Sequence, residues 1–182
     1  RRTEGSEAMT LYDLGDVHRI TAGAIGEPGE RVFFLQVDAD AATYAITVEK
    51  QQVLLLGESV RELLATLGRA TDDTYDEAAM ALRLPVDPLW RAGRLSLGYD
   101  ERRDRFVLEI EELVRVDEDD EPIEPGEPDL VRLLASRELM LALARHGDAV
   151  ASKGRPTCQY CGNPIDPDGH VCPAMNGHSK DH

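Results

Sequence analysis

All three cysteines and three of the five histidines fall after Thr157. In Cys158-Gln159-Tyr160-Cys161-Gly162 two thiols stand three residues apart with a glycine behind them. This is the tight turn that brings two thiolates to one metal, because glycine permits the chain reversal. Asn163-Pro164 and Asp168-Gly169 add further turn chemistry and return the chain to His170 and Cys172. Three soft thiolates and one imidazole make a tetrahedral set suited to Zn²⁺. The run Cys158-x-x-Cys161, then His170-x-Cys172, has the outline of a short zinc ribbon in which a His-x-Cys arm replaces a second Cys-x-x-Cys. His178 competes with His170 for the fourth position, and His182 is too terminal to favour. Four protein ligands would leave no open position for water, so the role expected of the zinc is structural.

Other chemistries for the same cysteines fit less well. A disulfide would leave one of three thiols odd, and a cytoplasmic chain, the expected compartment, is kept reduced. A thioredoxin-like motif needs Cys-x-x-Cys at a strand-to-helix junction, whereas here it follows a helical pattern and precedes turns. Elsewhere the common catalytic motifs are missing. Gly57-Glu58-Ser59-Val60-Arg61 lacks the final glycine of a nucleophile elbow and lies within a helical pattern. The glycines of Gly23 to Gly29 are wrongly spaced for a dinucleotide loop, and no Walker sequence is present. Trp90 reads as a large anchor pinning a connector over the core edge, and His18 and His146 as isolated surface or hydrogen-bonded histidines.

Composition bounds the partners. The 182 residues include 20 Lys and Arg against 35 Asp and Glu, a formal charge of −15 that disfavours binding to a phosphate backbone. Residues 158–182 carry Lys180 against Asp166, Asp168 and Asp181, so the ribbon itself lacks the basic charge of a nucleic-acid module. From Asp100 to Glu127 there are 13 acidic residues and 4 Arg, and the densest run, Asp117 to Glu121, is followed by Pro122, Pro125, Gly126 and Pro128. This stretch reads as a solvated loop, since an EF-hand counted from Asp117 would place Pro122 where glycine is required. No apolar run is long enough to span a bilayer. The two arginines at the start precede no apolar segment, so residues 1–10 read as a flexible tail, with Met9 a candidate start.

The elements that must position the cysteines come from periodicity. Residues 17–25, 31–37 and 43–48 read as strands, and Val53, Leu56, Val60, Leu63 and Leu67 mark a helix ending at Gly68. After a connector at 69–92, residues 94–99, 105–114 and 130–135 read as strands. Ser136 is then the N-cap of a second helix lined by Leu139, Leu143 and Val150. With only nine aromatic residues, the core must be mostly aliphatic. The fold expected is α+β: residues 11–154 form a two-layer domain of two βββα halves. Their six strands make an antiparallel sheet with two helices on one face, followed by a zinc-ribbon tail at 155–182.

The opening Gly23-Ala24-Ile25-Gly26-Glu27-Pro28-Gly29-Glu30-Arg31-Val32-Phe33-Phe34-Leu35-Gln36, the helix start Glu49-Lys50-Gln51-Gln52-Val53 and the tail Gly154-Arg155-Pro156 through Cys172-Pro173 to Asn176-Gly177 resemble an uncharacterised family of GC-rich bacteria. That family is a domain of unknown function, also called a conserved repeat protein, and the likeness covers about Leu11 to Gly177. Its members are often encoded near a ligase of the mycothiol pathway, which implies a pathway rather than a reaction. The resemblance also implies His170 over His178 as the fourth ligand. It departs after Gly177, where the family is basic and this chain reads His178-Ser179-Lys180-Asp181.

The function these residues point to is a zinc-containing protein of unknown activity, a protein-binding or scaffold module with a structural zinc. An enzyme linked to thiol metabolism and a zinc-thiolate redox sensor are the alternatives. A protein partner is expected, a nucleic acid or membrane is not, and a small-molecule ligand is left open.

Overall fold

Strand alternation and helix caps translate directly into elements in a computed structural model that describes residues 8–119, 121, 122, 126–153, 158–163, 165 and 171–174. In chain order these are β1 (Leu11–Asp16), β2 (Arg19–Ile25), β3 (Val32–Ala39), β4 (Ala42–Val48), α1 (Lys50–Leu67), β5 (Pro88–Asp100), β6 (Arg105–Glu112), β7 (Leu130–Ala135) and α2 (Arg137–Ser152), with one 3₁₀ turn at Ala78–Met80. On β6 and β7 every second residue is buried, which pairs Phe106 with Ala135, Leu108 with Leu133 and Ile110 with Val131 across one face. On β3 both faces are buried, as its apolar run requires of a central strand.

The helices start where the sequence places caps. Glu49 and Gln52 form a reciprocal capping box on α1, and the Ser136 hydroxyl oxygen accepts the Leu139 amide at 3.2 Å on α2. The two helices pack on each other, and the crossing is close. A Cβ at Gly147 would stand 2.9 Å from Val53 Cγ1, so a larger residue there would have to push the Val53 side chain of α1 aside.

The sheet corrects one expectation. It has seven strands in the order β1-β7-β6-β5-β4-β3-β2, and it is mixed rather than antiparallel. β4 and β5 are parallel because α1 and the connector carry the chain back to the end from which β4 started. β1 also lies parallel to β7, so a strand from the beginning of the chain pairs beyond the expected division into two halves. The two outermost strands are consecutive, with only Val17 and His18 between them. The Val17 amide donates to Leu134 O at 2.9 Å and the His18 amide to Asp38 O at 3.0 Å, so the two ends of the sheet meet at this junction. Tyr12 of β1 meets Tyr44 of β4 edge to face, with centroids 6.5 Å apart.

β5 begins at Pro88, before the expected start at Arg94, because Pro88 and Arg91 pair with Ala45 and Thr47 of β4. Proline is tolerated as the first residue of a strand, where no ladder donor is lost inside the run. Trp90 is therefore a half-buried strand residue packed against the core, not a part of the connector.

Residues 69–87 are strapped down by polar side chains of β2 and β3. Thr21 Oγ1 donates to Met80 O at 2.6 Å, and Arg19 Nε donates to Ala79 O at 2.8 Å. Gln36, 1% exposed, grips Arg83 twice: its amide nitrogen donates to Arg83 O at 2.9 Å and its oxygen accepts the Arg83 amide at 2.8 Å. Asp38 pairs with Arg83 at 3.0 Å and with Arg19 at 3.5 Å. Gln36→Leu is expected to leave the Arg83 backbone unpaired at a cost of about 1–3 kcal/mol. Hydrogen exchange at the Arg83 amide should accelerate while exchange on β6 and β7 stays slow. An unchanged Arg83 amide would show that the strap does not depend on Gln36.

Candidate metal centre

Just beyond α2, residues Cys158 to Asn163 close a tight loop. The Cys158 amide donates to Asn163 O and the Gly162 amide to Cys158 O, each at 2.8 Å. Gly162 has φ 72°, in the left-handed region, which is the reversal the Cys-x-x-Cys-Gly pattern calls for. The loop turns its amides onto its sulfurs. Backbone N–H groups of Tyr160 and Cys161 point at Cys158 Sγ and, with burial opposing them, bring its pKa down to about 7.

Cys172 completes the cluster from a segment eleven residues further on. The three sulfurs lie within 4.8 Å of one another, with Cys158 Sγ and Cys172 Sγ 3.7 Å apart. That separation is far beyond an S–S bond, and all three thiols are free. Cys158 and Cys172 are buried and Cys161 is half-buried. At Cys161 the Asn163 amide favours the thiolate, but burial and the neighbouring Cys172 and Cys158 outweigh it and push the thiol's pKa up. Three thiolates so close repel one another unless a cation sits among them, so the arrangement can bind a metal ion and would release protons in doing so.

The structure thus brings together three of the four residues expected as ligands. His170, and its competitor His178, lie outside the described residues. Among the described residues no histidine or carboxylate joins the three sulfurs. The other histidines part ways. His18 is exposed between β1 and β2, whereas His146 is 5% exposed and faces the interior from α2. Its burial had a signal in the sequence: it stands three residues after Leu143 and four before Val150, on the same apolar stripe. The polar strap of Thr21, Gln36 and Asp38 had none, because its partners are mostly backbone groups of the connector.

The described residues of the acidic segment between β6 and β7 are exposed or half-buried. Within it Asp117 accepts the amides of Asp119 and Glu121, a local turn. No helix among the described residues is long and apolar enough to cross a membrane.

The chain belongs to the family described as "Protein of unknown function (DUF3090)", whose model matches residues 12–172 and so takes in the sheet from the second residue of β1 onward, both helices and all three cysteines. No curated protein and no solved structure matches it.

Proposed function

We propose that this member of the DUF3090 family is a protein-binding or scaffold module whose C-terminal segment is folded around a structural Zn²⁺. The observation that carries the reading is the convergence of Cys158, Cys161 and Cys172 within 4.8 Å, with backbone amides turned onto the sulfurs. Zinc is favoured over harder cations because thiolates are soft ligands, and tetrahedral thiolate-rich sites are its usual structural setting. His170 is the fourth ligand in this reading, which closes the coordination sphere. The zinc would fix the fold of the tail and supply no reaction. Separate His170→Ala and His178→Ala variants test the choice. Zinc lost with His170→Ala and kept with His178→Ala supports it; the reverse result overturns it.

The partner surface is assigned to the tail. Tyr160 is 62% exposed and Val171 79% exposed, and the two sit beside ligating cysteines. Apolar side chains held out by a rigid centre are the composition of a docking patch. With a net charge of −15, the partner in this reading is a protein rather than a nucleic acid. The reading also places the chain in the cytoplasm, where thiols stay reduced. Native purification from the source cell tests the scaffold role. A stoichiometric protein partner lost on Tyr160→Ala and Val171→Asp supports it, and a persistently solitary protein contradicts it.

A second reading, a zinc-thiolate redox sensor, is favoured by the 3.7 Å between Cys158 and Cys172 sulfurs. Peroxide would oxidise the two thiolates to a disulfide, itself being reduced to two waters, with release of the metal. Zinc release at near-stoichiometric peroxide would bring this reading forward.

A further inference from the structure

We propose that the open pocket between β2, the 69–87 connector and the C-terminal half of α2 binds a small, mostly apolar molecule carrying one carboxylate. The space measures about 320 Å³, at the small end of ligand pockets. Its walls are mainly apolar, with Ala24 and Ile25 from β2, Met80 and Leu82 from the connector and Val150 from α2. Two observations independent of its shape point to a ligand with a charged or hydrogen-bonding end.

The first is His146, which lines the cavity and is 5% exposed. Its Nδ1 atom is buried without a hydrogen-bond partner among the described residues. A buried polar atom of this kind is costly to leave unpaired. Tyr75 meets the ring edge to face at 6.0 Å and supplies no such partner. Burial and the Lys153 ammonium lower the His146 pKa, against the raising influence of Glu77. The imidazole therefore enters recognition as a neutral hydrogen-bonding group.

The second is Arg31, which lines the same cavity. Its guanidinium donates to Val150 O at 3.1 Å and lies over the Phe33 ring at 5.2 Å. Among the described residues no carboxylate pairs with it, in a chain where acidic residues outnumber basic ones by 35 to 20. Lys153, also lining the cavity, already has Glu77 at 3.4 Å, so those two charges largely offset each other. The charge left over is that of Arg31, whose planar donors match a carboxylate. The ligand's apolar body would lie against Leu82, Met80 and Val150.

The test uses the full-length protein, titrated with hexanoate and separately with hexan-1-ol while the His146 imidazole nitrogens are followed by NMR. Saturable shifts with hexanoate are expected, with the alcohol binding about ten-fold or more weakly, the effect of losing a charge-assisted hydrogen bond. Arg31→Gln should lower hexanoate affinity by about ten-fold, Arg31→Lys should recover part of it, and Ala24→Phe should fill the cavity and abolish binding. No saturable shift, or equal binding of alcohol and acid, would overturn the proposal. The comparison of the two probes on the unaltered protein decides the matter even if Arg31→Gln fails to fold.

Discussion

Replacing Cys172 by serine is expected to lower bound zinc from about one equivalent to below about a tenth, because a structural site depends on each of its thiolates. Cys172 Sγ stands 3.7 Å from Cys158 Sγ and comes from a separate stretch of chain, so its loss unlinks the two arms of the cluster. The remaining Cys158 and Cys161 would keep their loop, which is closed by backbone hydrogen bonds to Asn163 and from Gly162. The Cys158–Asn163 loop and the segment at Cys172 should therefore part while the sheet domain keeps its unfolding transition. The readouts are elemental analysis of protein purified under reducing conditions and amide exchange at residues 158–163 and 171–174. Full zinc retention in Cys172→Ser would remove this residue from the ligand set.

Phe106→Ala, which removes the largest fully buried side chain, is expected to cost about 3–5 kcal/mol. Phe106 is fully buried, pairs with Ala135 on β7 and meets Tyr99 edge to face at 5.3 Å. Its small neighbour Ala135 cannot fill the space left behind, so a cavity remains. The urea midpoint should fall with little change in slope, while the folded fraction should still carry about one zinc. A loss below about 1 kcal/mol would mean that the site collapses readily, against the close packing of β6 on β7. Together the two variants separate the tail from the core, since each should affect one and spare the other.

Much of the local structure was legible because its causes are local. Ser136 announced α2, Gly68 ended α1, and Phe106, Leu108 and Ile110 set against Glu109 and Glu111 fixed the inward face of β6. What could not be read depends on partners distant in sequence. β1 contains Asp13, Gly15 and Asp16, which resemble a turn, and it becomes a strand only beside β7, with Leu11 opposite Leu130. The parallel pairing of β4 with β5 likewise depends on how α1 and the connector return the chain, and that leaves no mark in the pattern of either strand. Gln36 looked like one polar residue in an apolar strand, and its reason is the backbone of Arg83. The approach of Cys158 to Cys161 was legible in spacing because a Cys-x-x-Cys-Gly turn constrains neighbours, whereas nothing in the spacing alone distinguished the Cys158–Cys172 approach from any other pairing.

Whether one metal is held by the three sulfurs is read by zinc-edge X-ray absorption on the purified protein. About three sulfurs near 2.3 Å and one nitrogen near 2.0–2.1 Å are expected. A zinc-free protein, or a zinc surrounded mainly by oxygen with Cys158, Cys161 and Cys172 still open to alkylation, would contradict that coordination.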